Sequence, residues 1–266
     1  MKIGIIGCGN MGQALLRGII AKGYISKGNI LVSDKDRKKA KLARLRFKVG
    51  VSGSNSELIK KCGVIICAIK PQDVDAVLQD ALLPLEGKLL ISICAGLTTR
   101  RLEKRLGRVS VVRVMPNMPA LVSLGISAIS SGKYATARDK KVAVSIFSCI
   151  GEVVEVKEQL MDAVTAISGS GPAYFFYLVQ KLIEAAKELG IPGHIARRLA
   201  TKTALGSAVL MNQCKASPQI LRKQVSSKGG TTEAAFNVFR KKGLDKILVL
   251  AFKAAAKRSK EMGERG

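Results

Sequence analysis

The sequence predicts an α/β fold in two parts, and three observations predict it. First, the apolar run Lys2-Ile3-Gly4-Ile5-Ile6 leads straight into Gly7-Cys8-Gly9-Asn10-Met11-Gly12, and a helical pattern follows. Second, short apolar runs and helical patterns alternate as far as residue 157, the order of a mainly parallel sheet with right-handed crossovers. Third, strand signals stop near residue 158 and helices take over. Together these describe an N-terminal Rossmann-type dinucleotide-binding domain over residues 1–157. An all-α dimerisation domain follows over residues 158–266.

The elements read in order as follows. Strands are predicted at Lys2–Ile6, Ile30–Ser33, Val64–Ala68, Leu89–Ile93, Val109–Val114, Ile126–Ser130 and Val153–Val156. Unbroken apolar runs such as Val64-Ile65-Ile66-Cys67-Ala68 suit central strands covered on both faces. Helices are predicted at Gly12–Lys22, Arg37–Leu45 and Ser56–Lys61. In the second part, Pro172–Leu189 reads as a long helix, with Pro172 in its first turn and Gly190 and Pro192 ending it. Further helices are predicted at Ile195–Gln213, Gln219–Val225, Thr232–Lys242 and Leu244–Met262. Tyr174, Phe175, Phe176, Leu178, Val179, Leu182 and Ile183 make the first of these apolar nearly all round. One small bundle can hardly bury such a helix, so burial against a second subunit is expected.

Composition narrows the class. No apolar run reaches the ~20 residues that span a bilayer, and the first residues lack the order of a signal peptide, so a cytoplasmic protein is expected. Six cysteines include no C-x-x-C pair, and there is a single histidine, so neither a metal site nor a disulfide framework is expected. The cysteines read as buried reduced thiols. The net charge of +26 raises a polyanion partner, but it is spread along the chain, the longest basic runs are three residues, and aromatics are only 4%. No dedicated nucleic-acid or membrane partner is expected. The charge reads as a solvated surface that favours anionic small molecules.

Several constellations carry chemistry. In G-x-G-x-x-G, Gly7 permits the tight turn, Gly9 lets backbone approach a pyrophosphate and Gly12 lets helix pack on strand. The helix start offers free N–H groups and positive potential to the phosphates. At the end of the second strand, Asp34 favours a ribose 2′-hydroxyl, whereas Lys35, Arg37 and Lys38 favour a 2′-phosphate. The balance leans to NADPH, with NADH as the alternative. Cys67-Ala68-Ile69-Lys70-Pro71 and Ser92-Ile93-Cys94-Ala95-Gly96 end strands where a doubly wound sheet holds its ligand. Ser168-Gly169-Ser170-Gly171-Pro172 and Ser227-Lys228-Gly229-Gly230-Thr231-Thr232 each precede a helix; they suit either an anion or a plain glycine-rich helix start with Thr as N-cap. His194, the only histidine, reads as a surface residue. Reduction of a protonated imine needs positioning more than a general base.

These residues resemble the pyrroline-5-carboxylate reductase family. Ile5-Ile6-Gly7-Cys8-Gly9-Asn10-Met11-Gly12 is similar to its cofactor loop, Ala68-Ile69-Lys70-Pro71 to its A-V-K-P segment, and Arg113-Val114-Met115-Pro116-Asn117-Met118-Pro119-Ala120 to its R-x-M-P-N-T-P-A stretch. Ser168–Tyr174 and Gly229-Gly230-Thr231-Thr232 are similar to its second-half motifs. The resemblance runs from residue 2 to about 262. It implies NAD(P)H-dependent reduction of 1-pyrroline-5-carboxylate to L-proline, a homodimer interlocked through the helical domain, and higher assemblies such as a decamer. It implies cofactor contacts at Gly7, Cys8, Gly9, Asn10, Met11, Ser33, Asn55, Ala68, Ile69, Lys70, Pro71, Ile93, Cys94 and Ala95; the strand-end reading adds Asp34 and Lys35. It places Glu158, Gly230, Thr231 and Thr232 at the substrate, with Thr232 on the imine nitrogen as the catalytic residue. Lys228, Glu233 and Met118 depart from the family pattern. The alternatives are another cyclic imine or ketimine reductase of the superfamily, or a basic nucleic-acid-binding scaffold without turnover.

Overall fold

The structure is a computed structural model that describes residues 1–70, 73, 74, 77, 79 and 85–264. Its centre is β1 (Ile3–Ile6), hydrogen-bonded in parallel to β2 (Ile30–Ser33) on one side and β4 (Val64–Cys67) on the other. Beyond β2 lies the two-residue β3 (Gly50–Val51), and beyond β4 lie β5 (Leu89–Ser92) and β6 (Ser110–Met115), all parallel. β7 (Gly125–Ser131) pairs antiparallel with β6, and β8 (Gly151–Glu155) parallel with β7. The order β3-β2-β1-β4-β5-β6-β7-β8 reverses direction between β1 and β4. That switch point opens a crevice at the carboxyl ends of the strands, where ligands of such sheets bind.

Both sheet faces are covered, as the unbroken apolar runs require. Ile3, Ile5, Val32, Ile66 and Ile91 pack with Leu15 of α1 (Asn10–Ala21), Ala40 of α2 (Arg37–Phe47) and Ile146 of α5 (Ala137–Phe147). Ile6, Ile65, Cys67, Leu90 and Val111 pack with Leu58 of α3 (Asn55–Lys61) and Leu102 of α4 (Thr99–Leu106) on the opposite face. β3, α4 and α5 are not among the elements expected from the sequence. α4 and α5 each start at a threonine cap: the Thr98 hydroxyl accepts from the Arg101 N–H at 3.2 Å, and Thr136 and Asp139 form a reciprocal capping box.

After β8 the described chain contains no further strand, as expected. A turn at Glu158–Leu160 leads into α6 (Met161–Val164) and a π-type turn at Thr165–Gly169. Then come α7 (Gly171–Glu188), α8 (Gly193–Gln213), α9 (Pro218–Gln224), α10 (Thr231–Lys241) and α11 (Leu244–Glu264). No described helix is long and apolar enough to cross a membrane.

The chain divides into two compact units, Met1–Ser170 with Lys253–Gly266, and Gly171–Phe252, so the division falls within α11. The second unit has almost no interior. Gly171, Ala196 and Ala200 are its only buried residues, while Phe175, Phe176 and Leu178 are more than half exposed. Five cysteines are buried free thiols, as expected; Cys214 corrects that expectation, because it follows the last turn of α8 at the surface.

Candidate active site

The glycine loop sits at the mouth of the crevice and is tied to β2. Gly7 has φ +103°, a conformation open to glycine, and its N–H donates to Ser33 O at 2.7 Å. A Cβ on Gly7 would collide with Ala68 O, and one on Gly12 with Gly7 O. These two glycines are therefore demanded by packing. Gly9 is different: its Cβ position has no protein atom within 4 Å, so its backbone is open to an approaching ligand. Asn10 and Met11 start α1, whose N-cap Gly9 brings no side chain to the first-turn N–H groups. The loop suits a pyrophosphate. Burial pushes the Cys8 thiol up to about 12, helped by the charge of Asp34, so Cys8 stays neutral.

Beyond β2 the chain forms a basic hollow of about 610 Å³, lined by Ser33, Asp34, Lys35, Arg37, Lys41, Arg44 and Ser52–Asn55 among others. The Asp34 carboxylate is engaged within the protein: Oδ2 accepts from the Cys8 N–H at 2.7 Å and Oδ1 from the Asp36 N–H at 2.8 Å. Ser33 Oγ donates to Asn55 Oδ1 at 2.7 Å, joining two expected cofactor residues. Lys35 pairs with Asp73 at 2.6 Å across the hollow's rim. With Lys35 paired, Arg37, Lys41 and Arg44 remain against one committed carboxylate, and they fit a 2′-phosphate. Lys41 and Arg44 escaped the sequence reading because they lie a turn or two along α2, beyond the strand-end motif.

Two further segments meet at the carboxyl edge of the sheet. Ala68 N–H donates to Ile6 O at 2.8 Å, and Ile93 N–H to Cys67 O at 3.2 Å. The Cys94 thiol reaches Ile69 O at 3.5 Å. Ala68, Ile69, Ile93, Cys94 and Ala95 therefore lie side by side beyond β4 and β5, with Lys70 exposed. Pro71, expected among them, lies outside the described residues. Burial raises both Cys67 and Cys94, so neither is a reactive thiolate.

Glu158 joins a network that sequence reasoning did not foresee. Its Oε1 accepts from Arg113 Nη1 at 2.9 Å and from the Thr99 N–H at 3.2 Å. The Arg113 side chain is only 2% exposed, and its Nη2 stands 3.7 Å from Asp162 Oδ1. A cation inside the apolar run Val111-Val112-Arg113-Val114 was the available signal.

The last expected group belongs to the second unit. Gly230 is the N-cap of α10 and supplies no side-chain cap; Thr231 and Thr232 are the helix's first two residues. This corrects the reading of Thr as the cap. First-turn N–H groups at an uncapped helix start suit a carboxylate. The departure at Glu233 has a local partner: its Oε2 accepts from the Gly229 N–H at 2.7 Å. Met118 begins a short turn over Met118–Val122 and is half exposed, and nothing in the structure explains its replacement of the usual Thr. His194 is exposed at the start of α8.

A doubly wound sheet, an open glycine loop at its switch point and a basic hollow beside it define a Rossmann-type oxidoreductase. Comparison with known proteins agrees and is more specific. A family model described as pyrroline-5-carboxylate reductase dimerisation matches residues 158–262, and one described as NADP oxidoreductase, coenzyme F420-dependent, matches residues 2–96. A pyrroline-5-carboxylate reductase of Synechocystis is 37% identical over 265 residues, 100% of this chain and 99% of its own. One from Methanosarcina acetivorans is 38% identical over 266 residues, 99% of this chain and 98% of its own. The crystal structure of Plasmodium falciparum pyrroline carboxylate reductase with NADP bound has a TM-score of 0.88 at 34% identity, covering 99% of this chain and 98% of that one. The chain belongs to the pyrroline-5-carboxylate reductase family. Its helical part is a dimerisation domain, which accounts for the exposed apolar faces of the second unit.

Proposed function

We propose that this protein reduces the C=N bond of 1-pyrroline-5-carboxylate to give L-proline, the closing step of proline biosynthesis, with NADPH as donor in preference to NADH. Full-length similarity to the reductase family carries the reading, and both glycine loops are present without gaps. The nicotinamide, when bound, supplies the hydride for the imine carbon.

The chain's own residues bind and orient. Gly7, Cys8, Gly9, Asn10 and Met11 take the pyrophosphate; Ser33, Asp34, Lys35 and Asn55 take the adenosine end; Ala68, Ile69, Lys70, Pro71, Ile93, Cys94 and Ala95 line the nicotinamide end. Backbone N–H groups near Gly230 and Thr231 hold the substrate carboxylate, the Gly230 N–H itself being donated to Ser227 O at 3.0 Å; Thr232 donates or accepts at the imine nitrogen, and Glu158 lies at the substrate. No general base is required, in keeping with the exposed His194. Rate then comes from proximity and electrostatic positioning.

Residues 1–157 form the cofactor domain and residues 158–266 the dimerisation and substrate domain. Support comes from the last strand ending at Glu155 and the dimerisation match beginning at 158. The working unit is a homodimer, with a decamer as the higher assembly. Five buried free thiols accord with a cytoplasmic site.

The test is oxidation of NADPH and NADH followed with 1-pyrroline-5-carboxylate and with a six-membered cyclic imine. Turnover fastest with the five-membered substrate and NADPH is expected. Faster turnover of the larger ring would reassign the substrate. A kcat/KM for NADH about tenfold above that for NADPH, a difference of about 1.4 kcal/mol in transition-state binding, would reverse the cofactor preference.

A further inference from the structure

Residues 93–98 join β5 to α4 and carry Ile93, Cys94 and Ala95. A ring of contacts closes around this loop. Gly96 has φ +77°, and a Cβ there would stand 2.7 Å from Gly263 N and 2.9 Å from Ser259 O; a Cβ on Gly263 would collide with Gly96 O. Two backbones therefore meet with nothing between them, at the last turn of α11. Arg101, in the first turn of α4, donates from Nη1 to Gly263 O at 2.6 Å. That carbonyl belongs to the unpaired, negative end of α11.

One turn earlier on α11, the buried Ser259 donates from Oγ to Asp162 Oδ1 at 2.7 Å. Asp162 faces Arg113, Arg113 holds Glu158, and Glu158 accepts from the Thr99 N–H, where α4 begins. The ring starts and ends on the same loop.

We propose that Ser259 and Gly263 are positioning residues for the reduction: the last turns of α11 set the height of residues 93–98 and so the surface against which the nicotinamide lies. This rests on the reading of Ile93, Cys94 and Ala95 as cofactor contacts. The ring is not fully satisfied and can re-pair. Arg113 Nη2 and Glu158 Oε2 are buried without a hydrogen-bond partner. With the Ser259 hydroxyl removed, Asp162 is free to turn fully onto Arg113 Nη2. That loosens the hold of Arg113 on Glu158, and with it the bond to Thr99. In a low-dielectric pocket such exchanges are strongly coupled. A methyl group on Gly263 acts more directly, by pushing Gly96 away.

The test compares Ser259→Ala, Ser259→Thr and Gly263→Ala with Ala95→Ile. It uses steady-state kinetics, NADPH affinity from cofactor fluorescence, and hydrogen exchange of the amides of residues 94–99 in cofactor-free protein. A displacement of about 1 Å can cost up to a hundredfold in rate. Gly263→Ala is therefore expected to lower kcat about tenfold to a hundredfold, and Ser259→Ala by less. Both are expected to speed exchange in the loop, and Ser259→Thr to restore kcat and loop exchange.

Wild-type kcat, NADPH affinity and loop exchange in Ser259→Ala and Gly263→Ala would overturn the proposal. So would a loss in Ser259→Ala that Ser259→Thr fails to restore. If Gly263→Ala does not fold, the Ser259 pair decides alone. Ala95→Ile separates the underlying reading: it is expected to weaken NADPH binding more than about tenfold, a loss of about 1.4 kcal/mol. Unchanged NADPH binding there would remove the cofactor from this loop. Weakened binding there, with inert Ser259 and Gly263 variants, would overturn the positioning role alone.

Discussion

Thr232 is the second residue of α10, behind Gly230 as N-cap, so its hydroxyl does not close the helix start. Val keeps the β-branched shape and nearly the same helix propensity. Thr232→Val should therefore leave the melting temperature nearly unchanged. A hydrogen bond to a charged group is worth about 1.5–3 kcal/mol, so its loss should lower kcat about tenfold to a hundredfold. Measuring kcat and Tm on the same preparation decides between roles: full turnover in a destabilised protein would make the residue structural. Other residues differ in how openly they declared themselves. Gly7, Gly9 and Gly12 were legible because a turn, a ligand approach and a close packing each exclude side chains at set positions. Asp34 gave a mixed signal because its type fits a ribose hydroxyl. Only the fold reveals that Cys8 and Asp36 already occupy both its oxygens. Ser259 and Gly263 were silent, since their partners Asp162 and Arg101 are 97 and 162 positions away.

At the scale of elements, α2 shows how a helix can serve the fold and the ligand together. Ala40, Ala43 and Phe47 face the core, while Arg37, Lys41 and Arg44 follow one another at helical spacing along the hollow beside β2. These cations are exposed, so each pairs weakly in water, by up to about 1 kcal/mol. Lys41→Ala and Arg44→Ala should each lower kcat/KM for NADPH about twofold to fivefold. Neither should affect NADH, which lacks the 2′-phosphate, and the NADPH effect should fade in high salt. Equal losses with both cofactors would move the phosphate elsewhere. Periodicity made α1, α2 and α3 legible, because each follows a strand and carries apolar residues on one face. α4 and α5 were less legible for a physical reason. TRRLEKRL is polar over most of its length and buries only Thr99 and Leu102, while ARDKKVAVSIF opens on a charged stretch and buries Ala143, Ile146 and Phe147 only in its later turns. Their starts depend on the Thr98 and Thr136 caps, short signals that an apolar-pattern reading passes over. β3, with two residues, has no period to detect.

At the scale of the molecule, the two units differ in kind. The first has a sheet buried on both faces; the second exposes Phe175 at 63% and Leu189 at 82%, and its buried residues are glycine and alanine. Burying one Leu or Phe fully contributes about 1.5–3 kcal/mol. The second unit leaves that contribution unused along α7, α8 and α11, where Phe176, Leu178, Leu199, Leu205, Leu248 and Leu250 are also exposed. Fixing such helices in order costs backbone entropy of about 1–2 kcal/mol per residue. A lone subunit has little apolar burial to set against that cost in Gly171–Phe252. Its helices should therefore be stable only against a second copy, in line with the dimerisation domain matched there. Sedimentation at micromolar concentration should show dimers or larger species and no folded monomer. The melting temperature should rise with protein concentration, because association stabilises by mass action. Replacing Phe175 and Phe176 together by Asp introduces like charges into that face, and should give a species that loses helical signal in Gly171–Phe252 while keeping the parallel sheet. A folded, fully helical monomer from the unmodified chain would mean that these faces find their cover within one subunit.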